Sequence, residues 1–221
     1  MKNTKLIKNA VFISSLMIIT VTAGAQDISL PAPVKIGGKP LMEALSERQS
    51  SREFTSGDLT LQQLSDLLWA GWGINRLSEM KRTAPSSRNV QEIDVYVTLR
   101  SGLYLYDPSG NLLKQIHGRD IRAITGTQDF VGQAPLNLIY VADMAKLGKK
   151  EGDQIAGQDL LSSWANTGFI AQNVYLYCAS ANLGCVVRGL VDREKLAPEM
   201  GLRSNQVIIL AQTVGIPALP R

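Results

Sequence analysis

Metal-ligating and nucleophilic side chains are scarce in this chain: its 221 residues carry one histidine and two cysteines. That is too few for the usual zinc sets, which draw four ligands mainly from those residue types. A catalytic thiol is also unsupported, because His117 lies far in sequence from Cys178 and Cys185. Long hydrophobic runs are missing as well. The stretch from Ala10 to Val21 falls short of the ~20 residues that span a bilayer and is diluted by Ser14, Ser15 and Thr20. A transmembrane anchor is the competing reading, but Lys2, Lys5 and Lys8 before the run and Ala23-Gly24-Ala25 after it make a cleaved export signal over residues 1–25. The run is not followed by a lipid-accepting cysteine. We therefore expect an exported, periplasmic protein without a stable membrane anchor, beginning near Gln26 and forming one domain over residues 26–221.

An excess of charge is the third absence. The leader carries three of the 23 basic residues and no acidic one, which leaves 20 against 19 acidic side chains. A chain so balanced lacks the basic stripe of a nucleic-acid binder, and no nucleic-acid partner is expected. Internal repeats and low-complexity segments are absent too. In an exported chain the two cysteines invite a disulfide. Their separation does not ensure the short Cα distance a bridge needs, and buried thiols are the preferred reading.

What is present begins at Arg48-Gln49-Ser50-Ser51-Arg52, just after the short amphipathic segment Pro40–Leu45. Two guanidiniums bracketing hydroxyls can hold a phosphate, since arginine offers a planar fork of donors and serine a neutral one. An ordinary solvated charged turn is the alternative on these residues alone. Further along, Thr60-Leu61-Gln62-Gln63 is a capping box, and Leu61, Leu64, Leu67, Leu68 and Trp69 recur at helical spacing until Gly71 and Gly73 stop the pattern. Trp69 and Trp72 read as core, with a place beside a cofactor as the alternative. Residues 93–99, 103–106 and 112–116 read as a three-stranded meander whose last turn is Asp107-Pro108-Ser109-Gly110-Asn111. Residues 134–142 are almost continuously apolar, the pattern of a strand covered on both faces. From Asp159 to Asn182 apolar side chains recur around more than one side of a long helix. Strands at Val186-Val187 and 207–211, with a short helix from Asp192 to Met200 between them, complete an α+β reading: a mostly antiparallel sheet covered by helices.

Four ordered blocks resemble the nitroreductase family. Arg48-x-Ser50-x-Arg52 is similar to the family's opening flavin-phosphate motif, and Ala84-Pro85-Ser86-Ser87-Arg88-Asn89-Val90-Gln91 to its Pro-Ser-Ser/Ala-x-Asn-x-Gln block. The run Asn182–Asp192 resembles the family's segment from the end of the long helix through a strand to Gly-Phe-Asp, and Val214-Gly215-Ile216-Pro217 its terminal Val-Gly-Tyr-Pro. The resemblance spans Arg48 to Pro217. It implies a nitroreductase-like fold, FMN as cofactor, and a homodimer with the long helix at its interface. It further implies ping-pong transfer of electrons from a small-molecule donor, NAD(P)H or another, through flavin N5 to a small organic acceptor, with no protein nucleophile.

By that resemblance Arg48 and Ser50, with Gln49 between them, hold the phosphate or ribityl region. Arg52 approaches the N1/O2 side of the ring, where a cation stabilises the reduced flavin. Asn89, followed by Gln91, reads the amide edge of the ring, in one arrangement from the second subunit, and Ser86 and Ser87 line the same wall. Gly189 lets backbone approach N5, or is simply a turn glycine. Departures from the family pattern are Gln49 in place of a second basic residue, Arg188 where many relatives carry glutamate, Ile216 in place of tyrosine, and a short end at which Arg221 could substitute for a basic extension. Arg188 could attract an anionic substrate. Relatives ending in Val-Gly-x-Pro, the branch resembling SagB-type proteins, include azoline oxidases, so oxidation is an open direction. A flavin-free binding protein that kept the fold is the alternative function.

Overall fold

The structure is a computed structural model that describes residues 26–218. Residues 1–25, expected to be an export signal, and Arg221 lie outside the described residues. Nine strands are described: β1 (Ile28–Ser29), β2 (Ile74–Arg76), β3 (Lys81–Arg82), β4 (Ile93–Leu99), β5 (Gly102–Asp107), β6 (Leu112–His117), β7 (Leu136–Asp143), β8 (Gly184–Arg188) and β9 (Gln206–Gly215). The helices are α1 (Leu41–Glu47), α2 (Leu61–Trp72), α3 (Phe130–Gln133), α4 (Leu161–Ser180) and α5 (Arg193–Glu199).

Seven strands form one antiparallel sheet in the order β1-β6-β5-β4-β7-β9-β8, and β2 pairs with β3 as a separate hairpin. The meander read from the sequence is β4-β5-β6. Central β7 is buried at every position, which is why its sequence shows an apolar run rather than alternation. Leu136, Leu138, Tyr140 and Ala142 face the core under α2 and α4, while Ile139 and Val141 face a second cluster under α5 with Leu196 and Met200. Helices thus cover both faces.

Helix α2 starts where its capping box places it: Thr60 Oγ1 accepts from Gln63 N at 3.1 Å, and Thr60 N donates to Gln63 Oε1 at 2.9 Å. Its end corrects the sequence reading. Gly71 lies inside the helix, because a Cβ there would stand 3.0 Å from Val174 Cγ2 of α4. The glycine permits close helix packing, and the helix stops at Gly73. Trp72 is buried in the core as expected. Helix α4 is one continuous element preceded by a 3₁₀ turn over Gly157–Leu160. One side of it buries Ile170, Val174 and Cys178, while Leu161, Trp164 and Phe169 are 69%, 42% and 48% exposed along the other. Cys178 and Cys185 are both buried thiols.

Candidate functional site

Two stretches far apart in sequence are tied to α4. The first is Arg48–Arg52, which leaves the end of α1 and runs beside β8, with Ser51 N donating to Cys185 O at 2.9 Å. Tyr175 of α4 organises it. Val187 N of β8 donates to Tyr175 Oη at 2.9 Å, so that hydroxyl can pass its own proton to Ser50 Oγ, also 2.9 Å away. The Arg48 guanidinium lies over the same ring, 5.3 Å from its centroid, in cation–π geometry. Gln49 is exposed and Arg52 is exposed. Among the described residues neither Arg48 nor Arg52 has a carboxylate within ion-pair distance. Beside them a cleft of about 330 Å³ is lined by Lys39, Ser46, Glu47, Arg48, Gln49 and Asn182. A larger cleft, about 800 Å³, lies beside Gln26, Tyr104 and His117 and contains none of the site residues.

The second stretch is the turn Ser86–Gln91, which sits against the first half of α4. Arg88, Asn89 and Gln91 have φ of 53°, 54° and 55°, left-handed values that non-glycine residues adopt only when their surroundings enforce them. The enforcing contacts are visible. Ser87 N donates to Asn166 Oδ1 at 3.2 Å, and Asn166 Nδ2 donates to Glu92 Oε1 at 2.8 Å. Ser86 Oγ accepts from Gln91 N at 3.1 Å. Gln91 accepts at Oε1 from Arg82 Nε (2.8 Å) and donates from Nε2 to Asn89 Oδ1 and to Met80 O, both at 3.0 Å. Arg82 is itself seated over Trp72, 5.3 Å from the ring centroid, and burial pulls its pKa below the ordinary arginine value. Asn89 is exposed.

Nine residues of helix separate Asn166 from Tyr175, about 13 Å along the axis. The two stretches are thus anchored about 13 Å apart along α4. Of the exposed side chains already named, Phe169 lies between them, and Leu161 and Trp164 lie nearer the start of α4 than Asn166.

Gly189 and Arg188 complete the sequence-derived set. Gly189 is exposed, and a Cβ built there would meet nothing within 4 Å. Arg188, expected to attract an anionic substrate, turns its side chain inward instead and is only 4% exposed. Its Nε donates to Thr213 Oγ1 at 2.9 Å, Nη1 to Thr125 O at 3.0 Å and Nη2 to Asn137 Oδ1 at 3.1 Å. All three acceptors are neutral, and desolvation pushes its pKa down to about 10, which still leaves it charged at neutral pH. Burial therefore corrects the expectation that Arg188 binds a cofactor or attracts a substrate directly: its guanidinium is spent on neutral groups of the interior.

Sequence reasoning missed Tyr175, Glu92, Asn166, Arg82 and Lys39. The Gly37-Gly38-Lys39-Pro40 run was a usable signal: Gly38 takes φ +77°, and a Cβ there would collide with Ser180 Oγ at the end of α4. That contact sets Lys39, whose Nζ reaches Glu47 Oε2 at 2.5 Å and Asn182 Oδ1 at 2.9 Å. The other four reveal themselves only through contacts between distant segments. No group of three or more potential metal ligands occurs among the described residues.

The fold is α+β, and α4 carries an arginine-serine stretch at one end and a turn rich in amide donors and acceptors at the other. The model of the family described as Nitroreductase family matches residues 45–216. A Methanocaldococcus jannaschii protein that carries a nitroreductase name is 31% identical over 180 residues, covering 77% of this chain and 88% of its own length. A crystal structure from Ralstonia eutropha JMP134, also bearing a nitroreductase name, is 46% identical with a TM-score of 0.80, over 87% of this chain and 90% of that one. A Desulfovibrio desulfuricans structure of a nitroreductase-named protein in complex with FMN shares the fold, with a TM-score of 0.58 at 20% identity over 83% of this chain and 89% of that one. The chain belongs to the nitroreductase family of flavin-binding oxidoreductases.

Proposed function

We propose that this chain is an exported, single-domain FMN-dependent oxidoreductase. It takes electrons from a small-molecule donor, NAD(P)H or another reduced carrier, and delivers them to a small organic acceptor. The observation that carries this reading is the meeting of Arg48, Ser50 and the Val187 N–H at Tyr175, which seats an arginine-serine stretch without a carboxylate partner against the strand that leads to Gly189. That donor chemistry fits a phosphate tail. When bound, FMN supplies a ring that accepts two electrons from a donor and passes them on.

The chain's own groups then have separable tasks. Arg48 and Ser50, with Gln49, bind the tail. Arg52 places an exposed cation where negative charge develops on the reduced ring. Ser86, Ser87 and Asn89 wall the polar edge, and Gly189 leaves its approach free of a side chain. Since the two stretches stand about 13 Å apart along one α4, a homodimer packed through Leu161, Trp164 and Phe169 would let Asn89 of the second copy face Arg48 of the first.

Flavin titration of the purified protein tests the cofactor: uptake of one FMN per chain is expected, and no uptake abandons the reading. Sedimentation tests the dimer, with Trp164→Glu expected to give monomers that lose FMN. N-terminal sequencing of protein recovered from the periplasm tests export, with Gln26 as the expected first residue.

A further inference from the structure

The side chain of Asn89 is held with one polarity. Arginine only donates hydrogen bonds, so the Gln91 atom facing Arg82 Nε at 2.8 Å must be the carboxamide oxygen. The Gln91 amino group is therefore committed to the other side, where Met80 O, which only accepts, takes one proton at 3.0 Å. Its second proton meets Asn89 at 3.0 Å, and the Asn89 atom there must be the oxygen. Both Gln91 amide protons are used, one of the two acceptor sites of the Asn89 oxygen is taken, and Asn89 Nδ2 has no acceptor among the described residues. The order does not depend on how the amides were oriented, because it is dictated by a donor at one end and a carbonyl at the other.

The neighbouring relay is built alike. Ser87 N only donates, so Asn166 turns its oxygen to it and its amino group to Glu92 Oε1, 2.8 Å away on a side chain that is 1% exposed. Two amide relays thus clamp one left-handed turn. Cation–π seating of Arg82 on Trp72 prevents the first relay from reversing.

We propose that Arg82, acting through Gln91, is a positioning residue that fixes the Asn89 amide with Nδ2 as its free donor. The group recognised by that donor is an acceptor, a carbonyl oxygen or unprotonated ring nitrogen of the flavin. This deepens the FMN reading and rests on it. It also narrows the expectation drawn from sequence, in which Asn89 could offer either half of its amide.

Gln91→Glu is the decisive variant. Glutamate still accepts from Arg82 but cannot donate to Asn89, so Asn89 must rotate and present its oxygen. Binding is measured by fluorescence quenching with FMN and with uncharged lumiflavin, which removes any effect of the added charge on the phosphate, and thermal unfolding confirms that each variant is folded. The expected order of affinity is wild type, then Gln91→Met, then Gln91→Glu, with the last about tenfold weaker than wild type for both probes. Equal or tighter lumiflavin binding by Gln91→Glu overturns the proposal, since an N–H would then be what is read. A flavin-free arm separates this failure from failure of the cofactor reading: side-chain amide exchange by NMR should show Gln91 NH₂ protected and Asn89 NH₂ unprotected, and Arg82→Met should release Gln91. Protection of Asn89 instead contradicts the polarity even if the protein binds no flavin at all.

Discussion

At the Asn166 end of α4 the polar contacts run in fixed directions, from Ser87 N through Asn166 to buried Glu92, whereas at the Tyr175 end Arg48 and Arg52 have no carboxylate within ion-pair distance among the described residues. The first arrangement suits discrimination, because it fixes the turn that carries the exposed Asn89 amide. The second suits affinity, because cations without a carboxylate partner attract an anion over a distance that salt screens. In the proposed FMN site the two ends would divide the demands of a flavin, charge for its tail and direction for its ring edge.

Breaking the first end should cost the most. Glu92→Leu leaves the Ser163 hydroxyl and the Asn166 amino group without the Oε1 acceptor they share. We expect about 2–4 kcal/mol of lost stability in urea unfolding, while Glu92→Gln, which keeps an acceptor oxygen, should cost under about 1 kcal/mol. Equal losses in the two variants would mean that the relay holds nothing. At the other end the ranking of affinity and stability should reverse. Arg48→Ala combined with Arg52→Ala is expected to weaken FMN binding about 100-fold while shifting unfolding by less than about 1 kcal/mol. In a salt titration the wild type should lose affinity more steeply than this double variant.

Tyr175 joins the two modes, since its hydroxyl is directional and its ring carries a cation. Tyr175→Phe should cost about 1 kcal/mol through the stranded Val187 N–H and weaken FMN binding three- to tenfold, with the Arg48 seat retained. Tyr175→Leu should weaken it further, and a Phe variant as poor as Leu would show that only the hydroxyl matters. The smallest effect belongs to Lys39→Ala. Its ammonium is already engaged by Glu47 and Asn182, so a change in FMN affinity below about threefold is expected by titration.

The elements under the site were legible because their signals are local. The Thr60–Gln63 cap, the meander turn at Asp107–Asn111, the buried run of β7 and the multi-sided α4 each declare themselves within a few residues. Gly71 misled because glycine reads as a stop in sequence, and only the approach of Val174 shows it as a packing glycine. Strand β1 and the β2-β3 hairpin are two or three residues long, too short for a period. Of the candidate site, the residues that carry donors were visible as motifs. Those that aim them were not, since Arg82, Glu92, Asn166 and Tyr175 gain their roles from partners that another segment supplies. Arg188 shows the converse: its position was legible, but the inward turn that satisfies it with Thr213, Asn137 and Thr125 O was not.

The most direct measurement of the central claim is equilibrium dialysis of the purified protein against FMN, followed by the visible spectrum of the retained fraction. Wild type should keep one flavin per chain, and the Arg48→Ala, Arg52→Ala double variant should let nearly all of it escape under the same conditions. A wild-type fraction that stays colourless, or a double variant that retains flavin as firmly as wild type, would contradict the account.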